Sequence, residues 1–124
     1  MKIKVINPNT TWTMTEKIGA AARAVAAPGT EIVAVSPSMG PVSIEGFYDE
    51  AFAAIGVIVG VRKGEEEDCD GSVIACFGDP GLAAAREITR GPVVGIAEAA
   101  MHAASLIGNV FTIVSMLERS RATM

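Results

Sequence analysis

Apolar and polar positions alternate along this chain between two kinds of segment. Short runs rich in β-branched residues, Ile3 to Ile6, Glu31 to Val35, Ser72 to Phe77, Val93 to Ile96 and Val110 to Ser115, are separated by longer stretches with helical periodicity. Strands spaced by helices predict a parallel α/β sheet with flanking helices, because a parallel neighbour is reached only through a crossover. In the first helix Thr13-Met14-Thr15-Glu16 reads as a capping box. Met14, Ile18, Ala21, Ala22 and Val25 form one apolar stripe, and Pro28-Gly29 ends it. Ala51, Phe52, Ile55, Ile58 and Val59 make a second stripe, closed by Gly64 and the acidic run Glu65 to Asp68. Asp79-Pro80 predicts the start of a third helix, as cap and first helical position, with Gly91-Pro92 as its stop. Ala97, Ala100, Met101, Ala104 and Ile107 predict a fourth. Such stripes are the faces a helix turns toward a core.

No internal repeat, low-complexity tract or linker interrupts this order. After Ser115, the residues Leu117, Glu118, Arg119, Ser120 and Arg121 read as the start of another crossover helix, which a parallel sheet needs to cover its last strand. The chain stops before supplying it, so the expectation is a fragment of a longer polypeptide.

Length and composition narrow the class. At 124 residues the chain can form one domain with its own core, and half of its residues are apolar. No apolar run approaches the ~20 residues of a spanning helix, and Met1-Lys2-Ile3-Lys4 lacks the features of a signal peptide. A net charge of −4 with scattered basic residues argues against nucleic acid and against a membrane surface. Two cysteines and one histidine make neither a disulfide framework nor a metal knuckle, since Cys69 and Cys76 have the wrong spacing. The expectation is a cytoplasmic protein with reduced thiols and no bound metal.

The sharpest local feature is Ala75-Cys76-Phe77-Gly78-Asp79-Pro80-Gly81. It sets Cys76 at the carboxyl end of a strand, the edge where open α/β sheets bind ligands. A helix beginning at once after it would favour the thiolate and lower the thiol pKa, while Gly78 and Gly81 would admit a ligand near the backbone. The alternative is that Cys76 is a small buried hydrophobe. Cys69 lies among Glu65, Glu66, Glu67, Asp68 and Asp70, at the opposite end of the same strand, where negative neighbours work against ionising a thiol; it reads as structural.

Two more loops fall at the edge of Cys76. Asn7-Pro8-Asn9-Thr10-Thr11 follows the first strand, and its amides can donate and accept hydrogen bonds to a urea-like ligand, or simply make the turn. Ser38 to Gly46 follows the second strand and suits a binding loop or a long turn. Glu98 and His102, four apart on the fourth helix, read as a solvated pair. Trp12 and Tyr48 read as packing residues. No GxGxxG or Walker pattern occurs.

With NPNT after strand one, GPVSIEG after strand two, ACFGDPGL after strand three and PVVGIAEAA after strand four, the chain resembles the hydantoin and allantoin racemases of the aspartate/glutamate racemase superfamily. The resemblance runs over essentially the whole chain, and ACFGDPG is its most specific part. It implies two similar α/β lobes, each supplying one cysteine on either side of the substrate, with no metal or other cofactor. One thiolate removes the C5 proton of the hydantoin ring and the other thiol delivers a proton to the opposite face. On this pattern Cys76 is the catalytic cysteine of the first lobe, and Asn9, Ser43, Phe77 and Gly78 are substrate-binding. Residues 1–96 would form the first lobe and 97–124 the truncated start of the second.

The family's second cysteine has no counterpart here, so this chain alone is expected to lose efficient inversion. A homo-oligomer is expected as well, because an incomplete lobe leaves apolar surface to cover. The rival readings are a superfamily relative acting on another acid, such as a maleate isomerase or arylmalonate decarboxylase, and a silent small-ligand-binding module.

Overall fold

Four parallel strands, β1 (Lys2–Ile6), β2 (Glu31–Val35), β3 (Gly71–Ile74) and β4 (Val93–Gly95), line up in the order β2-β1-β3-β4 in the computed structural model. Between and after them come α1 (Trp12–Val25), α2 (Phe47–Glu66), α3 (Leu82–Glu87) and α4 (Ile96–Ile107). The structure describes residues 1–115 and 118. Ile6 stands level with Val35 and with Ile74, and Ile74 with Gly95. All four carboxyl ends therefore emerge along one edge, as the parallel α/β expectation requires.

The main core lies on the sheet face that carries Ile6, Ile74 and Val93, which pack with Val57 and Val61 of α2 and Ala85 of α3. Alternation along a strand puts Ala34 on the other face, and it is there that α1 sits, its Gly19 close against Ala34. Lys4 is also buried, at 2% exposure, with its aliphatic stem beside Gly64 of α2 and its ammonium 2.8 Å from Glu67. A buried charge needs such a partner, and Glu67 supplies it from the end of α2.

Two of the four helices turn a different face to the sheet from the one their apolar stripes predict. In α1 the buried residues are Thr15 and Gly19, while Met14 and Val25 are exposed. Small residues let this helix approach β2 closely, and the Thr15 hydroxyl is satisfied by Asn7 at 3.0 Å. The capping box does not form, because Thr13 is already inside the helix. The N-cap is Thr11, whose hydroxyl donates to Val42 O instead.

In α2 the buried residues are Ala53, Val57, Val61 and Gly64, whereas Phe52, Ile55 and Val59 face outward. This helix is apolar on both sides. The sheet takes the side with glycines, where Gly56, Gly60 and Gly64 lie against Pro37, Ile6 and Lys4 with only 2.9–3.2 Å to spare for an added Cβ. In α4, Ala97 is buried and Met101 and Ala104 half-buried as expected, but Ala100 and Ile107 point outward.

Three boundaries also differ. β3 ends at Ile74 rather than Phe77, and β4 ends at Gly95. α3 begins at Leu82, not at Pro80, with Gly81 as N-cap at φ +73°, because Asp79 is engaged elsewhere. Residues 110–115 form no strand, and Val110 and Val114 are exposed. The crossover helix expected from Leu117 lies outside the described residues, apart from Glu118. Trp12 and Tyr48, expected to pack, are both exposed, Tyr48 touching only the ring of Phe52 among the aromatic residues.

Candidate active site

At the carboxyl edge of the sheet three loops are tied together. Asn7 N–H donates to Val35 O, which joins the exit of β1 to that of β2, and Ala75 N–H donates to Ile6 O, which joins the exit of β3 to β1. The loop after β1 is then clasped to the loop after β2 by Thr10 N–H to Pro41 O at 2.9 Å and Thr11 Oγ1 to Val42 O at 2.8 Å.

Within this frame Asn7 and Asn9 are buried and hold each other. Asn7 Nδ2 donates to Asn9 Oδ1 at 2.9 Å and to Thr15 Oγ1, while Asn9 Oδ1 also accepts from Thr11 N–H. Asn9 Nδ2 faces the weak sulfur acceptor of Met14 at 3.2 Å. The carbonyl oxygen of Asn9 is thus committed to its own turn, and only its amide N–H groups have capacity to spare. Ser43 sits exposed in the loop after β2.

Cys76 lies in the turn two residues past β3, half-buried, with Phe77 and Gly78 exposed beside it. The turn closes through Asp79 N–H to Cys76 O at 3.0 Å. Burial pushes the Cys76 thiol above its ordinary range. A hydrogen bond from the Gly78 N–H opposes this, and the charges of Asp79 and Glu50 add to it. The lowered thiol pKa expected from a helix starting directly after the cysteine is therefore reversed. α3 starts six residues on and is only six residues long, so its dipole gives the sulfur little, while the charges of Asp79 and Glu50 oppose ionisation. Burial and the two carboxylates thus favour the protonated thiol over the thiolate.

Asp79 itself caps α4 rather than α3. Its two carboxylate oxygens accept from Ala97 N–H at 3.1 Å and Glu98 N–H at 2.8 Å, satisfying two of the open donors at that helix start. Glu98 pairs with Arg86, which donates to both of its oxygens; this holds the Glu98 carboxyl below its usual range, and His102 contributes only a weaker charge effect. Gly81, expected to admit a ligand, instead lies against α2, where a Cβ added to it would stand 3.1 Å from Ala54 Cα.

Glu50 was not legible as a site residue, and it lies in the first turn of α2 with Oε1 3.5 Å from where a Cβ on Gly78 would be. The signal available was positional. A helix entered from the loop after a parallel strand starts at the carboxyl edge, so its first-turn acids face whatever that edge binds. Cys69 lies at the opposite edge, beside Glu65, Asp68, Asp70 and Arg90. Among the described residues no group of three acidic, cysteine or histidine side chains can hold a metal ion, and no helix is long and apolar enough to cross a membrane.

The Asp/Glu/Hydantoin racemase family model matches residues 3–124. The chain belongs to that family. It is 56% identical over its whole length to a hydantoin racemase of Pseudomonas sp. (strain NS671), covering 50% of that protein. It is 52% identical over 122 residues to a hydantoin racemase of Paenarthrobacter aurescens, covering 52% of it. Among solved structures, an allantoin racemase from Klebsiella pneumoniae superposes with a TM-score of 0.96 at 61% identity, over 99% of this chain and 50% of that one. An allantoin racemase from Pseudomonas fluorescens gives 0.90 at 40% identity, over 97% and 51%. The chain spans about half the length of the racemases it matches. The parallel α/β sheet with flanking helices read from the sequence is thus shared with these racemases.

Proposed function

We propose that this chain supplies the first half of a cofactor-independent racemase acting on a hydantoin-type ring, 5-substituted hydantoin or allantoin, with Cys76 as one of its two proton-transfer groups. Its high identity to racemases named for hydantoin and allantoin supports the substrate class. The observation that carries the reading is the free thiol of Cys76 in the turn after β3, at the edge where the loops after β1 and β2 are clasped together.

The chemistry suits that placement. The C5–H of a hydantoin lies beside a carbonyl, so removing it leaves an enolate-like carbanion that hydrogen bonds to the ring oxygens stabilise. Inversion without moving the ring calls for an acid on one face and a base on the other. With its proton held by burial and by two nearby carboxylates, Cys76 enters as the acid in this chain. The base is expected from the half of the racemase architecture that this chain does not span.

In this reading Phe77 and Gly78 flank the ring, Ser43 offers a hydroxyl, and Asn9 offers amide N–H groups. Residues 1–96 form the first lobe, and α4 leads into the second. The working protein is a cytoplasmic homo-oligomer that binds a small molecule.

The test follows an enantiopure 5-substituted hydantoin in D₂O by optical rotation and by deuterium at C5. In protein that carries both halves of the racemase architecture, Cys76→Ala is expected to abolish the loss of optical rotation and Cys69→Ala to leave it nearly intact. Equal loss in the two variants, or rotation loss untouched by Cys76→Ala, refutes the assignment.

A further inference from the structure

We propose that the carboxylate of Glu50 accepts a hydrogen bond from the N–H beside C5 of a hydantoin-type ring, and so sets which way the ring lies against Cys76. This role rests on Cys76 being a proton-transfer group, and it supplies the acceptor that such a site lacks.

The fold brings the carboxylate to the cysteine turn. Glu50 is half-buried in the first turn of α2. A Cβ on Gly78 would stand 3.5 Å from Glu50 Oε1, so a larger residue there would intrude between the turn and the carboxylate. Glycine leaves that space open, and the negative charge of Glu50 reaches the Cys76 sulfur.

Three other acids near this edge are already engaged. Asp49 accepts from Glu45 N–H at 3.0 Å, Asp79 accepts from two amides of α4, and both oxygens of Glu98 are taken by Arg86. Among the described residues, the Glu50 carboxylate accepts no hydrogen bond and pairs with no cation. A charge half withdrawn from water gains most from a donor that arrives with the ligand.

The ring offers that donor in the right place. The spare groups of Asn9 are N–H donors, which suit the ring oxygens, since its own carbonyl is committed to the turn. A hydantoin also carries N–H groups, and one nitrogen is bonded directly to C5. In allantoin the ureido N–H is attached to that same carbon. With Cys76 facing C5, an acceptor beside the cysteine turn therefore meets this N–H first, and the contact orients the ring for proton transfer. Removing the C5 proton puts negative charge on the ring, which a carboxylate does not stabilise. The hydrogen bond is thus no stronger in the transition state than before it, and its contribution falls on binding.

Steady-state racemisation by protein that carries both halves of the racemase architecture tests this, comparing wild type with Glu50→Gln. Glutamine keeps the shape and loses the charge that strengthens the bond. KM for a 5-substituted hydantoin is expected to rise about tenfold while kcat stays within about threefold. A competing ring methylated on the nitrogen beside C5 has no N–H to offer there, and its inhibition constant is expected to agree between the two enzymes within about twofold. An unchanged KM, a fall in kcat alone, or a methylated ring weakened as much as its parent overturns the proposal. Should Glu50→Gln fail to fold by circular dichroism, the wild type decides. A ring methylated between the two carbonyls must then inhibit at least about fivefold more tightly than one methylated beside C5, and equal inhibition overturns the proposal. Cys76→Ala, assayed alongside, separates the two levels. If it still racemises, the role of Cys76 falls and that of Glu50 with it; if it is inactive while Glu50→Gln behaves as wild type, Glu50 alone falls.

Discussion

The carboxylate of Asp79 occupies the space directly above Gly95. A Cβ on Gly95 would stand 2.2 Å from Asp79 Cγ and within 2.5 Å of both oxygens. Through this contact the cysteine turn and the start of α4 are built as one unit, with Asp79 at φ +45° reaching across to two α4 amides.

Gly95→Ala forces Asp79 out of its seat, and is expected to lower stability by about 2–3 kcal/mol, as overpacking with loss of a cap does. Asp79→Ala alone removes the cap and is expected to cost about 1 kcal/mol. The double variant should lose clearly less than the sum, because an alanine at 79 vacates the space that the new methyl needs. Denaturant unfolding of the four proteins checks this. Simple additivity would show that the two residues do not share that volume.

Cys76 is expected to react with iodoacetamide only as pH rises past the ordinary thiol range, measured in a Cys69→Ala background. Burial is the main cause, so the midpoint stays high in every variant. Asp79→Asn and Glu50→Gln should each move it down, since each removes a negative charge near the sulfur. The linkage to stability has a definite sign. A folded thiol that holds its proton more tightly than the unfolded one contributes stability at low and neutral pH, which is lost as pH rises through the folded pKa. Relative to Cys76→Ala, the wild type should therefore weaken in alkali. A midpoint below that of a model thiol would sink this account.

Gly81→Ala places a side chain at φ +73° against the Ala54 backbone, 3.1 Å away. Left-handed backbone alone costs a non-glycine residue about 1–2 kcal/mol, and the contact adds to it. Thermal unfolding should show a loss of at least that size, whereas Gly29→Ala, at φ +81° with open space around it, should pay the backbone cost only.

Asn7→Ala should cost about 1–2 kcal/mol by urea denaturation, because it takes away the buried amide donor that Thr15 Oγ1 and Asn9 Oδ1 share and leaves each with only its Thr11 backbone partner. Should the loss prove negligible, the Asn7–Asn9 pair is not what stiffens the turn after β1.

The parallel sheet and the edge that carries the loops were legible from the alternation of β-rich runs and helical stretches; the order of the strands in the sheet was not. The placement of Cys76 at that carboxyl edge was legible too, although the strand was expected to run on to Phe77 and instead stops at Ile74. What could not be read was which side of α1 and α2 meets the sheet. Hydrophobicity points to Met14, Phe52 and Ile55, yet closeness of approach decides, and it selects Gly19, Gly56 and Gly60. A pattern that scores apolarity cannot see that a bare backbone may pack better than a methyl-rich one. The caps were misassigned for a related reason. Thr13 and Asp79 have the chemistry of local caps, but Thr13 falls inside α1 and the donors that Asp79 satisfies lie far along the chain, in α4. The state of the thiol followed from the same blindness, because Glu50 comes near Cys76 only in the folded chain.

Because Asp79 already neutralises the amide end of α4, the protein has answered that positive pole from within. A helix beginning at a ligand-binding edge is ordinarily a welcome for carboxylates and phosphates. Here an incoming anion finds the welcome taken and a fixed negative charge in its place, whereas an uncharged ring meets no such opposition.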